Sequence, residues 1–208
     1  MTDEALLPGS RWWRFDFHNH TPASSDYDPA ERGSVTHRAW LLAYMRAGVD
    51  AVAVTDHNTA DWVEPLQHAL AELDVERPEG WRPLALYPGV EITASGGVHI
   101  LALFAPGTPR KVLDGLLHGA LTGWEAGKPN HEQQCAQSVL DVVTAIHQKN
   151  GLAIAAHADC KRGLLYGTVQ ADGNFRPTND RDLTREFSAL DALELQSPTG
   201  ASATHFAR

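Results

Sequence analysis

Arg14-Phe15-Asp16-Phe17-His18-Asn19-His20 is the stretch on which the architecture turns. Phe15 and Phe17 alternate with Asp16 and His18, the period of a short strand at 14–18. Side chains alternate along extended backbone, so His18 and His20 project to the same face. Two imidazoles so placed can chelate one metal ion. A single strand cannot complete a ligand set, so the other apolar strands matter for what stands at their ends.

Several of them end on ligand-type residues. The apolar run 49–54 reads as a strand buried on both faces and leads into Thr55-Asp56-His57-Asn58. Residues 84–87 and 90–93 form one or two short strands broken at Pro88-Gly89, with Glu91 between Val90 and Ile92. A carboxylate in that apolar setting must be paired or metal-bound if it is buried. The strand 98–104 follows a tight reversal at Gly96-Gly97 and carries His99 near its start. An antiparallel or short strand is needed to bring His99 to the same rim. The strand 152–156 leads into His157-Ala158-Asp159, and 190–196 is a last strand.

Helices fall between these strands. Residues 36–47 place Trp40, Leu41, Tyr44 and Met45 at helical spacing and stop at Gly48. Residues 61–73 tolerate Pro65 in a first turn. Residues 109–121 take Thr108 as N-cap, 132–149 form a long helix ended by Asn150-Gly151, and 182–187 a short one. Loops cover 21–34, 122–130 and the long stretch 159–180. Alternating strands and helices favour a parallel sheet or an α/β barrel, whose C-terminal strand ends converge on one site.

Composition narrows the class. The chain has 208 residues and a formal net charge of -9, enough length for one domain with its own core and no basic coat for non-specific nucleic-acid binding. Two cysteines, Cys135 and Cys160, make no disulfide framework and fit a reducing, cytoplasmic setting. No apolar run approaches a membrane span, and residues 1–9 lack the apolar core of a secretory signal. The 11 histidines outnumber Tyr and Met together. His37, His68, His118, His131 and His147 lie on or beside expected helices and read as surface or packing residues. Cys160 reads as a spectator thiol.

The ordered set Phe17-His18-Asn19-His20-Thr21, Ser25-Asp26, Thr55-Asp56-His57-Asn58, Gly89-Val90-Glu91, His99 and His157 resembles the PHP (polymerase and histidinol phosphatase) family over most of the chain. The resemblance implies a distorted (β/α)7 barrel and hydrolysis of phosphate esters with two or three divalent ions, Zn, Mn or Fe. It implies a first metal on His18, His20 and Glu91, a second on Glu91, His99 and His157, and a third on Asp26 and His57. Asp56 is expected in catalysis or in support of the site, and Arg162, beside Lys161, to steady a substrate phosphate near His157. The stretches 13–24, 155–159 and 163–165 are most similar to PHP domains fused to AAA or chromosome-maintenance-type ATPases, some of which act in bacterial defence against phage.

One part of the pattern is missing. The family closes with a Ser-Asp-x-His type motif on a last strand, and no such sequence follows 190–196. The preferred reading is that residues 1–208 are one PHP-like domain, with 1–12 as an extension, forming the N-terminal part of a longer protein; the alternative is a chain that has lost one ligand set and with it some activity. Any ATPase would lie beyond Arg208, because no Walker-type sequence occurs. The expected partner is a phosphorylated small molecule or a nucleic-acid end, with no membrane. Two rivals keep the ligands: an amidohydrolase-type C–N hydrolase, which usually needs a carboxylated lysine on a middle strand, and a non-catalytic, metal-stapled scaffold.

Overall fold

The computed structural model describes residues 12–123, 133–169, 175–177 and 183–196. In chain order the elements are β1 (Phe15–Asp16), α1 (His37–Ala47), β2 (Ala51–Val54), α2 (Val63–Glu76), β3 (Ala85–Thr93), β4 (His99–Leu103) and α3 (Arg110–Asp114). A π-helical turn at Gly115–Ala120 continues α3. Then come α4 (Val139–His147), β5 (Leu152–Ala155), β6 (Gly167–Val169), β7 (Phe175–Pro177), α5 (Leu183–Ala189) and β8 (Ala192–Leu193). Six strands form one sheet in the order β1-β2-β3-β4-β5-β8, and β6-β7 is a separate antiparallel pair.

The sheet is mixed. β1, β2 and β3 run parallel, β4 runs antiparallel to both β3 and β5, and β5 is parallel to β8. Five strands therefore present their C-terminal ends to one rim, and β4 alone presents its N-terminus there. The sheet curls strongly. His18, just past β1 at one edge, lies 2.6 Å from Glu194, just past β8 at the other. The result is a half-barrel in an α/β fold. Regular β/α alternation breaks between β3 and β4, which are joined by a reversal rather than a helix.

The core explains why these segments take these forms. β2 is Ala-Val-Ala-Val, buried beyond its first residue, and β4 is buried throughout. α1 turns Trp40, Leu41 and Met45 inward, α2 Val63, Leu66, Ala69 and Leu73, and α4 Val139, Val142, Val143 and Ile146. These side chains share one apolar cluster with Val52, Val90, Ile92 and Ile100 of the sheet. Thr36 caps α1 through a bond from Ala39 N, and Gly48 ends it at φ 76°, a conformation costly for any residue with a Cβ.

Several boundaries depart from the sequence expectation. β3 is continuous through Pro88-Gly89, where a break is one of the two readings. Pro88 still accepts from Phe104 N at 2.8 Å, so the ladder survives its missing N–H. Gly96 and Gly97, at φ 82° and 77°, form the expected reversal, closed by Ala94 N to Val98 O at 2.7 Å. Helix α3 is capped at Pro109, not Thr108, whose hydroxyl donates to Ala105 O instead. The expected long helix 132–149 begins only at Val139, because Ser138 and Asp141 form a reciprocal capping box that fixes the start there. The expected loop 159–180 contains β6 and β7. Parts of that loop and of 122–130, and His131, lie outside the described residues.

Candidate metal centre

The ladder between β1 and β2 extends past its last strand residue by side-chain bonds. Asn19 N donates to Thr55 Oγ1 at 2.9 Å, Thr55 Oγ1 donates to Asn19 O at 2.7 Å, and Asn19 Nδ2 reaches Ala53 O at 2.6 Å. These bonds lock the backbone on both sides of Asn19, so His18 and His20 are held at the rim. Past β2, His57 bridges Glu91 in parallel register, and Asn58, at φ 54°, donates its N–H to Glu91 O at 2.9 Å.

Glu91 is the hub. Its side chain is buried, and all five rim imidazoles approach it. Oε2 lies 3.2 Å from His18 Nε2, 3.4 Å from His20 Nε2 and 3.2 Å from His57 Nδ1. Oε1 lies 2.6 Å from His99 Nδ1 and 3.4 Å from His157 Nε2. The rings close a circuit: His18–His20 5.5 Å, His20–His57 4.6 Å, His57–His99 5.1 Å, His99–His157 5.2 Å and His157–His18 5.6 Å between centroids. His99 joins because β4 is antiparallel, so its first residue reaches the shared rim.

Asp26 completes the open side. Its Oδ2 is 3.4 Å from His57 Nε2 and 3.8 Å from His20 Nε2. Buried Ser24 fixes it, donating from Oγ to Asp26 Oδ1 at 2.6 Å and accepting from His57 N at 3.3 Å. Arg32 pins the same loop by donating to Ser24 O at 2.8 Å. Asp56 stands behind the cluster: Thr21 N and Thr21 Oγ1 each donate to its carboxylate at 2.6 Å. Burial pushes the Asp56 carboxyl up to about 7, although both Thr21 bonds oppose the rise. Asp56 therefore anchors the backbone at Thr21, next to His20. For Arg162, the backbone carbonyl accepts from His99 N at 3.0 Å, which ties the loop after His157 to the start of β4.

The donor set fits divalent metal. Two groups bring one ligand atom from each member within 4.8 Å of the others: His18, Glu91 and His157, and separately His20, His57 and Glu91. The sets that the resemblance implies also share oxygens of Glu91: His18 and His20 both approach Oε2, and His99 and His157 both approach Oε1. His99 Nε2 and His157 Nδ1 are buried with no hydrogen-bond partner among the described residues, an arrangement costly for a purely structural cluster. Neutral imidazole with carboxylate suits Zn2+, Mn2+ or Fe2+. Burial disfavours a charged His18 imidazole, but hydrogen bonds to Glu194 and Glu91 overcome it and raise its pKa to about 10. Glu91 is held well below the usual carboxylate range: burial opposes this, and the bonds from His157, His18 and His99 outweigh it.

Glu194 is the residue the sequence reading missed. Its Oε2 lies 2.6 Å from His18 Nδ1 and accepts from His157 N at 2.8 Å. The signal was present. Glu194 sits between Leu193 and Leu195 as Glu91 sits between Val90 and Ile92.

No family model matches the sequence, and no curated protein matches it. Solved structures do share the shape. A protein assigned as a metal-dependent phosphoesterase from Bifidobacterium adolescentis aligns with a TM-score of 0.54 at 17% identity, over 88% of this chain and 77% of that one. The lesion-specific endonuclease EndoQ from Pyrococcus furiosus aligns with a TM-score of 0.51 at 14% identity, over 88% of this chain and 47% of its own. At these identities the likeness establishes the fold alone. An amidohydrolase from Chromobacterium violaceum aligns at 0.47, too weak a likeness to argue from.

Proposed function

We propose that this chain is a metal-dependent phosphoesterase whose centre is built on Glu91. The observation that carries the reading is the closed ring of five imidazoles around one buried carboxylate. Both solved proteins of the same fold named above bear names of phosphoester chemistry, one a phosphoesterase and one an endonuclease. Bound divalent ions would supply Lewis acidity toward a phosphoryl oxygen and a water of lowered pKa.

The chain's own residues shape the rest. The five imidazoles donate electron pairs without adding negative charge, so ions bound there would keep more of their positive charge for a phosphate than an all-carboxylate set would leave them. Asp26 and Glu194 are the most open groups at the site, at 35% and 30% side-chain exposure, and His20 is the most open imidazole at 23%, so Asp26 and His20 together offer one side for substrate approach. Ser24 is fully buried, and its hydroxyl ties Asp26 to the His57 backbone, which makes it a support of the loop rather than a group facing substrate. Among the described residues, the side chains paired with Glu91 are all histidines and none is the lysine that an amidohydrolase usually uses.

The substrate in this reading is a phosphorylated small molecule, a nucleotide or a nucleic-acid end. The test loads the chain separately with Mn2+, Zn2+ and Fe2+ and follows hydrolysis of p-nitrophenyl phosphate, bis-p-nitrophenyl phosphate and a 5′-phosphorylated oligonucleotide. Metal-dependent turnover that is lost in Glu91→Gln supports the proposal. Stoichiometric metal with no turnover on any of the three overturns it and leaves the scaffold reading.

A further inference from the structure

We infer that Glu194 is a positioning residue of the metal centre, holding His18 and His157 in ligand geometry from outside the ring. The inference rests on the metal reading and deepens it. One carboxylate oxygen of Glu194 serves both partners, His18 Nδ1 at 2.6 Å and His157 N at 2.8 Å. The backbone of Glu194 is itself clamped, donating from N to Ala155 O at 2.9 Å and accepting at O from Ala158 N at 2.7 Å. The oxygen is therefore a fixed point rather than the tip of a mobile chain.

Two consequences follow for the donor atoms. With an acceptor on Nδ1 that nitrogen keeps its proton, so Nε2, which faces Glu91 at 3.2 Å, is the nitrogen whose proton an ion would displace and whose lone pair would then bind it. A carboxylate on the far nitrogen of a ligating histidine also fixes its ring and raises its basicity. The second consequence concerns His157. It has φ 29°, in the left-handed region unfavourable for a residue with a Cβ. The bond from its N–H to Glu194 is one of those holding that backbone, and with it the direction of the imidazole. Glu194 is not grouped with the ligand atoms themselves. It acts through His18 and His157.

The experiment compares the 208-residue wild-type chain with Glu194→Gln and Glu194→Ala. Zn2+ affinity is measured by competition with a chromophoric chelator. The His18 ring nitrogens are followed by 15N NMR in the Zn2+-loaded state. The expected result is weaker Zn2+ binding, about 10-fold for Gln and about 100-fold for Ala, with a changed proton position on His18. A merely structural Glu194 would lower melting temperature but leave the affinity of folded protein and the His18 signature at wild-type values, and that outcome overturns the inference. Glu194→Gln, nearly the same shape, keeps the test decisive if Glu194→Ala does not fold. A wild-type chain that binds no Zn2+ overturns the metal reading and this inference together. Wild-type binding with unchanged variants overturns this inference alone.

Discussion

Glu91 and His18 carry the sharpest consequences at the scale of single residues. Glu91→Gln removes the one charge all five imidazoles face while keeping the shape. It is expected to lower bound metal below about one-tenth equivalent per chain, since losing a ligand costs more than the 10–100-fold typical of its supporting partners. Elemental analysis checks this, with circular dichroism to confirm the fold. His18 gives a pH dependence. Its pKa rises from 6.5 free to about 10 in the metal-free protein. Its stabilisation is therefore complete below 6.5 and lost as pH climbs through about 10. The melting temperature of metal-free protein should fall across that window for this group's share. Over the same window Zn2+ affinity should climb, because the ion displaces the His18 proton. Calorimetry at pH 8 in buffers of different ionisation enthalpy should show one proton fewer released in His18→Gln than in wild type.

Elements decide how such residues meet, and here the sequence was readable in part. The same-face spacing of His18 and His20, the strand ends at His57 and His157 and the buried setting of Glu91 all follow from period-two alternation. The closing of the ring does not. It depends on how far the sheet curls, and no local pattern encodes that. Glu194 was missed because 190–196 reads as one continuous strand, which leaves it mid-strand, whereas β8 stops at Leu193 and puts Glu194 just past a strand end at the rim. The break offered at Pro88-Gly89 did not occur, because Gly89 is needed for packing. A Cβ there would lie 2.8 Å from Ala102 O, Leu103 Cδ2 and Val54 O, and two of these are backbone atoms that cannot swing aside. Gly89→Ala is expected to cost about 1–3 kcal/mol by overpacking. At about 2–4 °C per kcal/mol for a chain this size, thermal denaturation should show a drop of at least a few degrees. Because Glu91 is two residues on along the same strand, metal affinity should fall as well. Unchanged melting would show that β3 can shift between its neighbours.

At the scale of the whole molecule, the centre draws on β1, β2, β3, β4, β5 and β8, so an ion bound there ties the half-barrel together. Anything that binds the folded form alone stabilises it, by about 2.7 kcal/mol at one hundred times Kd. Zn2+ in that excess should raise the melting temperature by roughly 5–11 °C, and a chelator should reverse the gain. An unchanged melting curve would show that the ions are not held by the folded ring. No helix among the described residues is long and apolar enough to cross a membrane. The contact between His18 and Glu194 joins residues 176 apart in sequence. It also sets an order of events in time. The first histidines leave the ribosome early, but the carboxylate on the far nitrogen of His18 arrives only once the chain through Glu194 has been made. If Glu194 positions the ring as proposed, nascent chains halted before residue 194 should retain Zn2+ more weakly than chains halted well beyond it.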